Sequence, residues 1–444
     1  MTTGTRGSRS ELKAVDVCRA SLYLAVSLTA IGCLQDVRDE TEAIGRASDL
    51  EIYVFQNDLY LASLGAKNTK PGEQGGYSQI SDTAKKILET AGSTDEREIV
   101  EAARRVLFID QGIHHFGATP NAEDLGREAS VGRTTDLETL YTVGSVHWVA
   151  TKREGACFSL SLFCLFLFER LKVKATMVIF GPHAFLEICY SEGNHVFFDP
   201  SCAGRTVSED ECLSSVEFKP FFEFDTSRKK KIIRLGKAEI KSIVHYYRAG
   251  AHLLATQKEE AMVELEKSIG YWKGNEIASH KYMHILTYGN ESGKLIEFYE
   301  RVFGFTEPSA RILMLYGLAK WDIDGIEKAK PILEEALETS PMDTDIIEVY
   351  ATLLFKLEEI EKGTELFQRL EGLLKRGDFL VACMRMTRNL GTEEVNMPRL
   401  IEALKRKDVD EMKPDSVRYL IEYHERTGNE KVFELIRDRI KRRK

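Results

Sequence analysis

No two cysteines in this chain are spaced as CxxC, and all eight together (at 18, 33, 157, 164, 189, 202, 212 and 383) are too few for a disulfide scaffold. That excludes a zinc ribbon and a small secreted stapled fold. Proline is scarce at ten residues, and 32 glycines in 444 residues leave most of the length free to form helix and strand. Cationic charge is also in deficit: 61 Lys and Arg against 70 Asp and Glu give a net charge of −9, which argues against a general nucleic-acid binder. The two basic runs, Arg228 to Lys231 and Lys441 to Lys444, are short enough to be a solvated linker and a tail. After residue 35 no apolar run is long enough to span a bilayer. A chain this long exceeds one hydrophobic core, so several domains are expected.

The first residues follow the order of a secretion signal. Arg6, Arg9, Lys13 and Arg19 precede the apolar run Ser21 to Ile31, and Gly32-Cys33 follows. The ending Thr29-Ala30-Ile31-Gly32-Cys33 resembles a bacterial lipobox, in which the cysteine takes a lipid. Residues 1–33 are therefore expected to be a lipoprotein signal peptide, with Cys33 lipidated. The protein is then anchored to a membrane of the cell envelope through that lipid alone. An uncleaved first helix in a cytoplasmic protein is the alternative. If Cys33 is lipidated and Cys157 is a nucleophile, five cysteines remain, so at least one thiol is unpaired; Cys164, Cys189 and Cys212 read as buried.

Residues 34–95 read as a helical N-terminal region. Apolar positions at Leu50, Ile52, Tyr53, Phe55, Leu59 and Leu61 mark one helix, and a glycine-rich loop follows from Gly65 to Ser78. Ser81-Asp82 predicts a cap for the next helix, Gly92 its end, and Ser93 to Glu96 a capping box for the one after. Gln111 to Thr135 is polar and glycine-rich, as a long surface loop would be, and Thr135-Asp136 predicts a cap for a helix running to about Thr151. Next, Cys157 opens the run FSLSLFCLFLFERL, apolar nearly all round, which predicts a helix buried on most sides. Ala175–Phe180, Ala184–Tyr190 and His195–Asp199 then read as strands. A central helix followed by antiparallel strands is an α+β core, assigned to residues 96–235.

From 236 to 444 the strand signal disappears and helices alternate with polar turns. Gly317, Ala329 and Leu333 recur 34 residues later as Ala351, Gly363 and Phe367, and Ala249, Ala261 and Leu265 keep the same internal spacing. Pro341 closes the middle unit, and 280–308 fits the repeat poorly. Small residues at fixed positions let paired helices approach closely, as in the tetratricopeptide repeat. Such an array presents a surface to a protein or peptide.

The chemistry concentrates between 154 and 200. A thiol nucleophile needs a thiolate, a base and a group that orients the base. Cys157 begins a helix, where free N–H groups favour a thiolate and can serve an oxyanion. His183 begins a strand and Asp199 ends the next one. A five-residue hairpin loop from Cys189 to Gly193 would set His183 directly opposite Asp199. His147 and Trp148 lie upstream, Trp148 as a core residue, and no donor besides the Cys157 N–H is assigned to an oxyanion. His114-His115 has no third ligand at metal spacing.

Glu154-Gly155-Ala156-Cys157-Phe158-Ser159-Leu160-Ser161-Leu162, then Glu169-Arg170-Leu171, Gly181-Pro182-His183-Ala184-Phe185 and Phe198-Asp199-Pro200 resemble the transglutaminase-like superfamily. The variety most similar is a bacterial one with tetratricopeptide repeats after the core, and Gly204-Arg205-Thr206-Val207 with Glu211-Cys212 is similar to it as well. Gly-Pro before the histidine departs from the family's usual Pro-Gly. The resemblance implies a transglutaminase-like (papain-like) α+β core followed by an all-α tetratricopeptide-like domain. It implies acyl transfer or hydrolysis at a protein or peptide amide, with Cys157, His183 and Asp199 as the triad and no cofactor. A catalytically inactive scaffold or binding protein of the cell envelope is the alternative.

Overall fold

In the computed structural model, the described residues are 48–63, 76–115, 145–180, 183–214, 232–303 and 308–374, with 382 and 385. The proposed signal with Cys33, the Thr135-Asp136 cap, the Gly181-Pro182 pair, both basic runs and the repeats beyond 386 lie outside them. The chain divides into two compact units at Ala278/Ser279.

The first unit opens with α1 (Asp49–Ser63), α2 (Gly76–Ala91) and α3 (Glu96–Arg104), which continues as a π-helical turn, Arg105–Asp110. Helix α2 starts five residues before the expected Ser81-Asp82 cap. It ends as expected before Gly92, whose φ of +59° suits glycine. Asp95, two residues after the expected Ser93, caps α3, accepting from the N–H groups of Arg97 and Glu98. Its carboxylate matches the helix N-terminus better than a hydroxyl does, and Ser93 instead accepts from the Asp95 N–H.

The short strands β1 (His114–His115) and β2 (Glu154–Gly155) pair in parallel, with α4 (Val146–Lys152) between them in sequence. Helix α5 (Cys157–Arg170) buries ten of its fourteen residues. Beside it lies an antiparallel sheet in the order β6-β5-β4-β3-β7, formed by β3 (Lys174–Phe180), β4 (His183–Cys189), β5 (His195–Asp199), β6 (Arg205–Val207) and β7 (Ile233–Leu235). A short helix, α6 (Glu209–Ser214), follows β6.

Side chains alternate along β4. Ala184, Leu186 and Ile188 join the core that holds Phe163, Phe166 and Leu167 of α5. The other set contains His183, Phe185 and Glu187. Phe185 meets Phe197 edge to face at 5.3 Å, and Glu187 takes both nitrogens of a forked Arg234 contact at 2.7 Å. The far end of α5 is tied down as well, because Arg170 reaches the buried Glu51 of α1 at 2.7 Å.

Helices α7 (Lys237–Leu254) and α8 (Lys258–Tyr271) belong to this first unit. Ile240, Val244, Tyr247 and Ala251 of α7 lie in the same core as α5. A buried polar chain also joins the helices: Tyr53 Oη to His245 Nε2 at 2.5 Å, and His245 Nδ1 to Glu264 Oε2 at 2.5 Å. Helix α7, the first of the pair with the repeat's spacing, thus completes the core of the thiol-bearing unit, and α8 is tied to it through Glu264.

Helix α9 (Glu276–Tyr288) crosses the boundary between the units, and α10 (Ser292–Phe303), α11 (Ala310–Asp324), α12 (Ile326–Thr339), α13 (Thr344–Lys356) and α14 (Ile360–Leu373) follow. Of the segment 280–308, which fits the repeat poorly, residues 280–303 also form paired helices, turning through Asn290 at φ +53° and meeting at Tyr282 and Phe298, with ring centroids 4.6 Å apart. Gly317 shows why the repeat keeps small residues. A Cβ there would come within 2.7 Å of Leu333 Cδ2 and 2.8 Å of its Cγ. Ala329, Leu333 and Ala351 are fully buried.

Replacing Gly317 by Val should destabilise the second unit by about 2 kcal/mol through overpacking. Gly372→Ala, where a Cβ meets nothing within 4 Å, should be neutral or stabilising by helix propensity. Urea melts of the two variants check the contrast, and equal effects would contradict this account of the repeat.

Candidate active site

Cys157 is the first residue of α5, and Ala156 is its N-cap in extended conformation. The approach is tight. A Cβ on Gly155 would lie 2.5 Å from Val149 Cγ2 and 2.8 Å from Ser159 Oγ, so only glycine lets β2 pass between α4 and α5. The residue is half-buried and forms no disulfide. It hydrogen-bonds to the side chains of His183 and His115 and to the backbone N–H of Ala184. Ser161, one turn into α5, donates to the Ala184 carbonyl at 3.0 Å and so fastens α5 to the start of β4.

His183 Nε2 lies 2.9 Å from Asp199 Oδ2, which leaves the other ring nitrogen for the thiol. Its ring stacks on Phe185, with centroids 5.5 Å apart. The expected hairpin register is corrected here. Cys189 pairs with His195 and Leu186 with Phe198, so continuing the ladder sets Asp199 beside Phe185 and two residues off His183. The reason lies in the turn, where the Tyr190 N–H donates to the Asn194 carbonyl at 2.8 Å and the Gly193 N–H to the Tyr190 carbonyl at 2.9 Å, carrying the pairing one residue further at each side of the loop than Cys189. A slip of two residues preserves the face, and a diagonal neighbour remains within reach of an imidazole.

Asp199 is buried and uses both oxygens. Oδ1 accepts from the Ser201 N–H at 2.9 Å and the Ser201 hydroxyl at 2.6 Å, while Oδ2 serves His183. A 3₁₀ turn over Pro200–Cys202 carries these donors. The turn closes through the Gly204 N–H, 2.9 Å from the Asp199 carbonyl. Gly204 has φ +68°, and a Cβ there would come within 2.7 Å of Phe108. The π-helical turn that carries Phe108 therefore buttresses the orienting carboxylate.

The electrostatics favour an ion pair. Burial pushes the Cys157 thiol up, but the bonds from His115 and His183, the His183 charge and the Ala184 N–H outweigh it and bring the pKa down to about 6. Burial opposes charge on His183 too, yet its bonds to Asp199 and Cys157 and their charges hold it up at about 10. Burial raises Asp199, and the His183 bond and charge, with Ser201 and Cys202, bring it below the usual carboxylate range. By contrast, burial alone drives Cys164 far above the ordinary thiol range. Cys189, expected buried, is half-buried at the end of β4 and Cys202 is exposed; the Cys212 side chain lies outside the described residues.

Residues 131–227 match the family model described as the transglutaminase-like superfamily. The chain carries a transglutaminase-like domain. Its helical region resembles solved TPR proteins. YrrB, a TPR protein with an unusual peptide-binding site, is 13% identical over 41% of this chain and 91% of its own, with a TM-score of 0.28. Pseudomonas aeruginosa pilF is 16% identical over 38% of this chain and 79% of its own, at 0.29. The APC/C hetero-tetramer Cut9–Hcn1 is 11% identical over 96% and 87%, at 0.33. No curated protein matches the chain.

Two contacts of the transglutaminase-like site escaped the sequence reading. His115 reaches the thiol, whereas His114–His115 had been weighed only as metal ligands; strand pairing of 114–115 with 154–155 has no local sequence signal. Tyr247 of α7 stacks on Phe158 at 5.3 Å and feels the Cys157 charge, burial being the main reason its pKa lies well above the ordinary value. Of the upstream pair, His147 is held down to about 4 by burial and by Lys152. Trp148 is half-buried, with its indole N–H on Glu154 Oε1 at 3.2 Å.

The pair has a distinctive proton balance. Well between the unfolded values of 6.5 for the imidazole and 9.0 for the thiol, the folded pair (thiolate, imidazolium) and the unfolded pair (thiol, imidazole) each hold one proton, so the pair's contribution to stability is flat with pH. From pH 9 to 10 the unfolded pair has lost the proton that folded His183 keeps, so stability falls as pH rises. Urea melts should show wild type losing on the order of 1 kcal/mol across that unit. The double variant Cys157→Ala/His183→Ala should lack this loss, and an identical slope in both would contradict the ion pair.

Proposed function

We propose that this protein performs thiol-dependent acyl transfer or hydrolysis at a protein or peptide amide, with Cys157 as nucleophile, His183 as acid–base and Asp199 as its orienter. The observation that carries the reading is the unbroken chain from the Cys157 sulfur through His183 to Asp199 at 2.9 Å, at a helix N-terminus. The thiolate attacks the carbonyl carbon and the π pair moves to oxygen. Collapse of the tetrahedral intermediate breaks the C–N bond, and the amine leaves with the proton of His183. Water or a second amine, losing its proton to His183, then releases the acyl group from the thioester. The Cys157 backbone N–H at the start of α5 is one donor to the oxyanion.

The helical repeats supply the recruiting surface for a protein or peptide in this reading. Support comes from apolar side chains left in solvent on the second unit, with Tyr288 77% exposed and Ile323 57% exposed. Anchoring at an envelope membrane through Cys33 belongs to the same proposal and rests on the lipobox-like pattern. Among the described residues no helix is long and apolar enough to cross a membrane.

A generic acyl donor tests the chemistry without knowledge of the substrate. Mixing the full chain with p-nitrophenyl acetate should give a stoichiometric burst of nitrophenolate and an acetyl group on the Cys157 peptide, read by mass spectrometry. Cys157→Ser and His183→Ala should each slow the burst by about 10³-fold or more. Absence of acylation at Cys157 in the wild type would point to an inactive scaffold.

A further inference from the structure

The triad leaves one side chain in contact with the reacting sulfur and without a role. His115 hydrogen-bonds to Cys157, and the contact is built into the fold. In the parallel β1–β2 pair, His115 stands beside Gly155, two residues before the nucleophile. The His114 N–H donates to the Arg153 carbonyl at 3.0 Å, and Arg153 Nη1 donates to the Gln111 carbonyl at 3.2 Å. Two left-handed residues, Gly112 at φ +66° and Arg153 at φ +64°, turn the chain into and out of this bracket. His114 is held elsewhere, its Nδ1 at 3.1 Å from the Gly112 carbonyl and its Nε2 at 3.8 Å from Glu154 Oε2. Alternation along the strand then leaves His115 for the thiol side.

We propose that His115 is a further catalytic residue: its N–H steadies the Cys157 thiolate at rest and moves to the oxyanion as the sulfur attacks. The inference rests on the acyl-transfer reading. In that step the sulfur lone pair becomes the C–S bond, so the sulfur loses its charge as the carbonyl π pair settles on oxygen. The negative charge travels only the width of the reacting carbonyl. A donor already aimed at the sulfur stands beside the new charge with little reorganisation, and adds to the Cys157 backbone N–H. When the intermediate collapses, the pair returns to the carbonyl and the donor returns to its starting contact.

Two reagents separate this role from a structural one. Acylation by p-nitrophenyl acetate develops an oxyanion, whereas alkylation by iodoacetamide displaces iodide and develops none. At a pH where the thiol is fully ionised, His115→Ala in the full chain should slow acylation roughly 10²-fold and alkylation far less. His115→Gln, which keeps an N–H donor, should recover at least about tenfold of the acylation rate. Cys164, buried in the middle of α5, should stay unlabelled in every sample, and this serves as the internal fold reference. Equal effects of His115→Ala on both reagents, or none on either, would overturn the role of His115 while wild-type acylation upholds the triad. A wild type that is not acylated, or whose acylation ignores His183→Ala, would overturn the triad and His115 with it.

Discussion

Burying a thiolate or an imidazolium alone is costly, and the two are stable here because they face each other among His115, the Ala184 N–H and Asp199. Burial pushes Cys157 toward the neutral thiol and His183 toward the neutral ring; the sign is reversed by His115, His183 and the Ala184 N–H at the thiol, and by Asp199 and Cys157 at the ring. Cys164 shows the outcome without such contacts, about two helical turns further along the same buried helix. The rest of the first unit reads as the apparatus that keeps this pair together. Helix α5 presents the sulfur at its N-terminus, Ser161 ties that helix to β4, and the turn after β5 holds Asp199 by both oxygens.

Much of this was legible because each element is local. A cysteine between Gly155-Ala156 and an all-round apolar run has to open a buried helix, and Asp199-Pro200 has to end a strand. Face parity was legible too, since a hairpin shifted by two residues keeps His183 and Asp199 on the same side. The register itself was not, because it depends on which atoms close the Tyr190–Asn194 turn. The cap of α3 shifted for a related reason: Ser93 and Asp95 both suit an N-cap, and only the backbone geometry chooses between them.

Contacts between distant segments were the least legible. His115 meets Cys157 through a two-residue parallel pair spanning some forty residues of sequence, and nothing in the local pattern at 114–115 encodes a partner at 154–155. Helices α7 and α8 carry the small-residue spacing of the repeat, yet α7 turns its inner face to the core around α5. Periodicity reports that a helix has an apolar face, and it does not report which apolar face covers it. The repeat logic holds best at Gly317, whose missing side chain is the space that Leu333 occupies.

The central claim is that Cys157 rests as a thiolate because His183 is charged beside it. The pH–rate profile of iodoacetamide alkylation at Cys157, followed by peptide mass spectrometry in the full chain, tests it most directly. The account predicts fast labelling with an apparent pKa near 6 in the wild type, and a shift in His183→Ala to the ordinary thiol range or above. A wild-type profile that rises only near the pKa of a free thiol, and is unchanged in His183→Ala, would contradict it.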